Sequence, residues 1–356
     1  MLTLGPSLAT YRHFTKWLAL AICAAVAGHL FHTFAIPAGL FLGPLLVAIS
    51  FGVCGMGLTL HRYVFRFGQG CIGLLVAHSV TWSMLGTLAQ SWPIMLAATV
   101  VTMGLSTIVG LASVRFGGLS GSTAAWGTAP GAASAMVSMA EEYGADSRVV
   151  ASMQYVRVIC VVMLGSLVSH LLGATDLAQA NINVSSLPTA PGLVQLIISL
   201  SVIVVGMMMG SKLPAGSLLM PLLLGSTLQL SDVSSVTLPD WLLAFAYGVI
   251  GCYVGLRFDQ PTLRYVWKLL PAMILSALGL IVLCAACAWL LAHVLERDFL
   301  SMYLATSPGG MDIMAIIAIE THADVSFVLA MQTLRLFGVI LAGAYCAKQI
   351  IRLTQA

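Results

Sequence analysis

Ten stretches of this chain, each near the length of a lipid-crossing helix, are almost free of charge: near 15–34, 38–60, 67–88, 92–114 and 149–171, then near 192–210, 214–230, 241–256, 269–294 and 327–347. About 20 apolar residues in helical form span a hydrocarbon core of about 30 Å. Only 8% of the 356 residues are Asp, Glu, Lys or Arg against 60% apolar, too little polar surface to coat a water-facing globule. The expected fold is an all-α polytopic membrane protein.

That composition excludes several functions. The net charge is +3 with no basic run, and no water-soluble stretch is long enough for a DNA-binding module, so direct nucleic-acid contact is not expected. Eight cysteines are scattered through apolar runs, and the Cys284-x-x-Cys287 pair reads as packing because buried thiols without cationic neighbours are inert. His29 and His32 form an H-x-x-H pair without acidic or Cys company, which suits interfacial packing better than a metal. No cofactor and no enzymatic step are expected. Arg12 and Lys16 ahead of Ala25-Val26-Ala27 imitate a cleaved signal peptide, but the first apolar run has a counterpart near 192–210 and so belongs to the fold.

The second constraint is an internal duplication. Ile36-Pro37-Ala38-Gly39 recurs as Leu213-Pro214-Ala215-Gly216, Pro44 as Pro221, and Gly70 and Gly73 as Gly248 and Gly251. Thr128-Ala129-Pro130-Gly131 recurs as Thr306-Ser307-Pro308-Gly309 at an offset of 178, and twelve of the thirty positions in 128–157 equal those in 306–335. Two membrane repeats are expected, 1–180 and 181–356. Each carries a Gly/Ser/Thr-rich segment, 117–144 or 300–322, broken by its Pro-Gly motif.

Whether those segments cross the membrane sets the topology. If each turns back, every half crosses five times, the repeats are inverted, and twelve of the thirteen loop Lys and Arg residues, from Arg12 to Arg352, share one side with only Arg297 opposite. If each spans, the same residues split eight to five. Lys and Arg of short loops collect on the cytoplasmic side, so the inverted arrangement is expected, multi-pass with a cytoplasmic N-terminus. Inverted repeats with broken helices are the construction of many secondary transporters, with the site at the midplane.

Within that frame Arg157 and Arg335 are the two basic residues inside spans, and an ionisable group in lipid implies a partner or a function. Asp146 to Arg157 is about 16 Å of helix and the arm from Gly131 to Tyr143 about 18 Å, so both reach the middle from one side. Asp324, Arg335 and the arm after Pro308 repeat this from the other. Gln154 with Arg157, and Gln332 with Arg335, share a helical face at a spacing of three. Ser307 is expected to cap a helix beginning at Pro308, whose free N–H groups favour an anion. Candidate substrate-contacting residues are Thr128, Pro130, Gly131, Gln154, Arg157, Thr306, Ser307, Pro308, Gly309, Gly310, Asp312, Gln332 and Arg335. Each Arg either braces the carbonyls of its own broken tip or meets a substrate, or does both. Asp312, whose repeat position is Ser134, is a coupling site for a proton or cation, or a structural partner of Arg335. Glu142, Asp146, Glu320 and Asp324 read as helix-start caps.

The runs Gly127-Thr128-Ala129-Pro130-Gly131, Gly144-Ala145-Asp146 and Gln154-Tyr155-Val156-Arg157, with Thr306-Ser307-Pro308-Gly309-Gly310-Met311-Asp312 and Met331-Gln332-Thr333-Leu334-Arg335, resemble the signature of the bacterial AbrB-type integral membrane family. The first copy departs from the fuller Pro-Gly-Gly form at Ala132. The resemblance implies a membrane-embedded regulator of gene expression acting through a partner, or a monooxygenase. The residues themselves point to a secondary transporter of a small polar or anionic solute. Expected partners are the lipid bilayer, that solute with a coupling proton or cation, and further copies of the chain in a homo-oligomer.

Overall fold

A computed structural model describes residues 6–34, 36, 38–78, 80, 82–131, 136–137, 140, 143–171, 193–213, 216–231, 237–258 and 260–339. Pro37, Ala132, Ser134, Glu141, Glu142, the 180/181 repeat boundary, Pro214, Ala215, Lys348, Arg352 and the side chains of Arg12, Lys212 and Asp312 lie outside the described residues.

The described residues contain helices and no strand. They are α1 (Pro6–Thr33), α2 (Gly39–Val53), α3 (Arg62–Ala77), α4 (Trp82–Gly117), α5 (Gly121–Thr128), α6 (Ser147–Leu171), α7 (Leu193–Met209), α8 (Gly216–Leu230), α9 (Asp240–Gly255), α10 (Gln260–Val266), α11 (Leu270–Leu295), α12 (Phe299–Thr306), α13 (Met311–Glu320) and α14 (Val325–Val339). The duplication is visible in their bounds: α3 and α9 begin and end 178 residues apart, as do α5 and α12.

Each of the ten apolar stretches coincides with a helix over its described residues, and among the described residues four contain a segment long and apolar enough to cross a membrane alone: Phe14–Thr33, Ser91–Gly117, Ser147–His170 and Leu270–Leu295. The chain is thus a multi-pass membrane protein with a more uneven set of helices than expected. Helices α2 and α8 have 15 residues each and carry Pro44 and Pro221 in their interiors. At about 23 Å they fall short of the hydrocarbon thickness. Protein rather than lipid walls much of their surface, which relaxes the need to match it. The stretch expected at 67–88 is instead a helix over Arg62–Ala77, because His61 accepts the Tyr63 N–H and starts the helix early. Arg62 and Arg66 therefore stand on a helix and not in a loop.

Close backbone crossings explain the repeated glycines. A Cβ on Gly73 of α3 would lie 2.2 Å from the Leu218 carbonyl oxygen of α8, and one on Gly251 of α9 would lie 2.5 Å from the Phe41 oxygen of α2. The halves are interlocked by these two contacts, α2 on α9 and α3 on α8.

The contacts sort the helices into two groups. One, the frame, holds α1, α2, α3, α7, α8 and α9; the other, the hairpin group, holds α4, α5, α6 and α10 to α13, with α14 tied to it by the hydrogen bonds of Gln332 and Arg335 to Leu304, Ser307 and Gly309. Contacts within each group far outnumber those between them, where α13 touches α3 and α10 touches α2.

Both broken segments turn back on themselves. In the second, Asp298 caps α12 by accepting the Ser301 N–H, Ser301 Oγ accepts the Asp324 N–H at 2.9 Å, and Arg297 pairs with Asp324 at 2.9 Å, so the start of α12 meets the end of the returning arm. In the first, the Asp146 N–H reaches Thr123 Oγ1 at 3.3 Å. Asp146 Oδ1 accepts the Arg148 and Val149 N–H groups and Asp324 Oδ1 accepts that of Phe327, the caps expected of them. The first hairpin is based near α10, since Tyr265 donates to Asp146 at 2.6 Å, and Phe258 just before α10 meets Gly52 at the end of α2. The second is based near Ala38 at the beginning of α2. The hairpins therefore enter from opposite ends of the molecule. Asp324→Ala removes a cap and an ion pair together and is expected to lower stability by about 1 kcal/mol, read as a lower melting temperature in detergent.

Candidate functional site

Chain direction brings the two tips together. Helices α5 and α6 run side by side from the first base, so Gln154 and Arg157 arrive level with the unwound tip at 129–131. Gln154 Nε2 donates to the carbonyls of Trp126, Gly127 and Ala129 at 2.9, 3.2 and 3.1 Å. Arg157 donates to the Ala129 oxygen at 2.8 Å and to Gln154 Oε1 at 2.7 Å. The second half repeats the design: Gln332 donates to Leu304 and Ser307, and Arg335 to Thr306, Ser307, Gly309 and Gln332.

The physical reason is the cost of unwinding a helix away from water, where each freed carbonyl needs a donor. A guanidinium fork can serve several at once. Both Arg side chains are buried at 4% exposure, and both Nε atoms, with Ser307 Oγ, lack a hydrogen-bond partner among the described residues. The bracing role is thus present in the geometry, and it leaves the Nε–H of each guanidinium free among the described residues.

The tip of the second hairpin differs from expectation. Ser307 ends α12 rather than beginning the next helix; its ψ is 136° and its N–H goes to Tyr303. Helix α13 starts after Gly310, three residues later than the expected Pro308 start, because the residue before a proline is held extended and the two glycines continue the break. Glu320 is also not a helix-start cap: it closes α13 and accepts the N–H of Ala38, the residue preceding α2.

A cavity of about 390 Å³ lies where the two groups meet. From the hairpin group Pro130, Gly131, Arg157, Gly309, Gly310, Gln332 and Arg335 line it; from the frame come Arg62, Phe65, Arg66, Gln69, Gly216, Ser217 and Tyr253. Of the expected site residues, Thr128, Gln154, Thr306, Ser307 and Pro308 are not in the lining. Thr128 and Thr306 hydroxyls are spent on Ala124 and Met302 carbonyls one turn back, and the Gln154 amide on the tip. Asp312 sits in the first turn of α13, its side chain outside the description. Arg62 and Arg66 flank an apolar run and so resemble loop charges in the sequence; their spacing of four at the head of a helix is the signal that marks them as neighbours on one face. The described lining side chains include four arginines and no carboxylate. Arg62 is exposed, so the cavity reaches water at the end where α3 begins.

The comparisons place this architecture. A family model described as "Transition state regulatory protein AbrB" matches residues 40–351. A protein of Escherichia coli (strain K12) named "Putative regulator AbrB" is 40% identical over 94% of this chain and 96% of its own length. The chain belongs to the AbrB family. A second relative, "Uncharacterized protein YhjN" of Bacillus subtilis (strain 168), is 26% identical over 79% of this chain and 77% of its own length. No solved structure matches.

Proposed function

We propose that this AbrB-family protein is a secondary transporter for a compact anion, held in the cavity between the two hairpin tips. The supporting observation is the gathering of Arg62, Arg66, Arg157 and Arg335 around one cavity whose described side chains include no carboxylate. Two buried guanidiniums in a low-dielectric setting repel one another and favour a ligand that supplies negative charge. A solute with two anionic groups matches the two free Nε donors better than a single charge does. The lining spans both helix groups, so movement of the hairpin group past the frame would carry the bound anion from one face to the other. No enzymatic step is part of this reading.

The protein is proposed to lie in the inner membrane with its N-terminus and the cavity mouth in the cytoplasm. Cysteines placed at Gly144 and at His322 should label from opposite faces, the first from inside; labelling of both from one side would refute the inverted orientation. Transport is tested with purified protein in proteoliposomes. Uptake of succinate or a similar dianion is expected, and Arg157→Lys should weaken it by about tenfold or more, because lysine keeps the charge but loses the fork. Lack of uptake for every anionic metabolite tried would remove the proposal.

A regulatory reading is favoured by the name of the Escherichia coli relative. It predicts that deletion alters transcription while Arg335→Lys, with the fold intact, does not change the effect.

A further inference from the structure

The cavity reaches water at the end where α3 begins, while a hydrogen bond crosses the opposite end of the same interface. Glu320, at the close of α13 in the hairpin group, accepts the backbone N–H of Ala38, at the head of α2 in the frame. The two residues are 282 apart in sequence. Helix α2 separates the two ends by about 23 Å, so this contact and the cavity mouth lie on opposite sides of the molecule.

Several features make the contact more than packing. Ala38 takes the left-handed conformation, φ 58° and ψ 29°, presenting its N–H at a helix start that has no side-chain cap of its own. A carboxylate there meets the positive end of the helix dipole. Glu320 is half-buried at the last position of its helix. The titratable group facing it from α9 is the Tyr247 hydroxyl, and among the described residues no cationic side chain forms an ion pair with it. Glu320 lies at the base of the hairpin, outside the spanning helices, and burial raises its carboxyl above the ordinary carboxylate range while the Ala38 N–H works in the other direction.

We propose that Glu320 is the proton-coupling site of the transporter: its carboxylate, by holding the Ala38 N–H, latches the hairpin group to the frame at the outer end, and a proton from outside releases it. The step is a protonation alone. A proton from the outer aqueous phase binds a Glu320 carboxylate oxygen, the group loses its charge, and the bond to the Ala38 N–H weakens. The outer end then parts and admits the anion. This rests on the transport reading above, but its first test does not require transport.

Hydrogen exchange on the whole protein in detergent, corrected for intrinsic rates, is followed in peptides covering Ala38–Phe41 and Ile313–Glu320. In wild type the protection of both is expected to fall as pH drops from about 8 to about 6, and in Glu320→Gln it should be low throughout and independent of pH. Protection that ignores pH in wild type, or a Glu320→Gln variant matching wild type, overturns the proposal. Should Glu320→Gln fail to fold, Glu320→Asp keeps a titrating carboxylate with a shorter reach, and weaker protection that still falls with acid is expected. In proteoliposomes loaded for succinate uptake, wild type should run about tenfold faster at an outer pH near 6 than near 8, with Glu320→Gln varying by less than about twofold. Wild-type uptake without pH dependence sinks the coupling site alone; no uptake beside a pH-dependent exchange pattern sinks the transport reading and leaves the latch standing.

Discussion

Arg335→Ala is expected to be the most damaging single substitution in the hairpins. It removes donors from the carbonyls of Thr306, Ser307 and Gly309 and from Gln332 Oε1, and leaves those acceptors buried. Hydrogen bonds to a charged donor contribute about 1.5–3 kcal/mol each, and stripping one member from a buried charged network costs roughly 3–5 kcal/mol. The loss is a large part of the 5–15 kcal/mol that separates folded from unfolded states in an ordinary domain. The variant should accumulate poorly, or melt well below wild type in detergent. Arg157→Ala should fall less far, since among the described residues Arg157 serves the Ala129 carbonyl and Gln154 alone. Equal melting of Arg335→Ala and wild type would mean that the tip does not depend on its guanidinium. Arg335→Lys separates the roles, because it keeps one charge near the cavity while abandoning most of the bracing.

The other large effect concerns the helix crossings. Gly73→Val and Gly251→Val each force a side chain into a neighbouring backbone carbonyl, 2.2 Å from the Leu218 oxygen and 2.5 Å from the Phe41 oxygen. Neither obstacle is the end of a flexible side chain, so the helices must separate, at a cost of about 3 kcal/mol or more. Gly104→Ala is the matched control: nothing lies within 4 Å of a Cβ there, and replacing a mid-helix glycine should stabilise by about 0.5–1 kcal/mol. Thermal unfolding of the three variants in one detergent decides it, and similar melting temperatures for all three would contradict the crossing geometry.

The legible part of this protein was local. Apolar runs gave helices at all ten positions, although the boundaries moved at α3, where His61 starts the helix and brings Arg62 and Arg66 onto it. The repeated Pro-Gly tips and the spacing of Gln154 to Arg157 and Gln332 to Arg335 pointed to side chains that reach a helix break. The structure shows the carbonyls they hold. Gly73 and Gly251 were visible as marks of the duplication, yet their use as crossing points was not, because a glycine carries no sign of what approaches it. Glu320 was read as a cap of its own local segment, and it instead binds a backbone group 282 residues away.

From the order of amino acids alone follow the solvent the chain requires, its helical character and its doubling, since charge density and periodicity act over a few turns of backbone. Tertiary structure decided which helices form the frame and which form the hairpin group, that Arg62 and Arg66 join Arg157 and Arg335 around one cavity, and that Glu320 meets Ala38 across the far end. Those pairings depend on how helices from distant parts of the chain fill space against one another. That packing free energy is summed over many weak contacts, and no local pattern of residues records it.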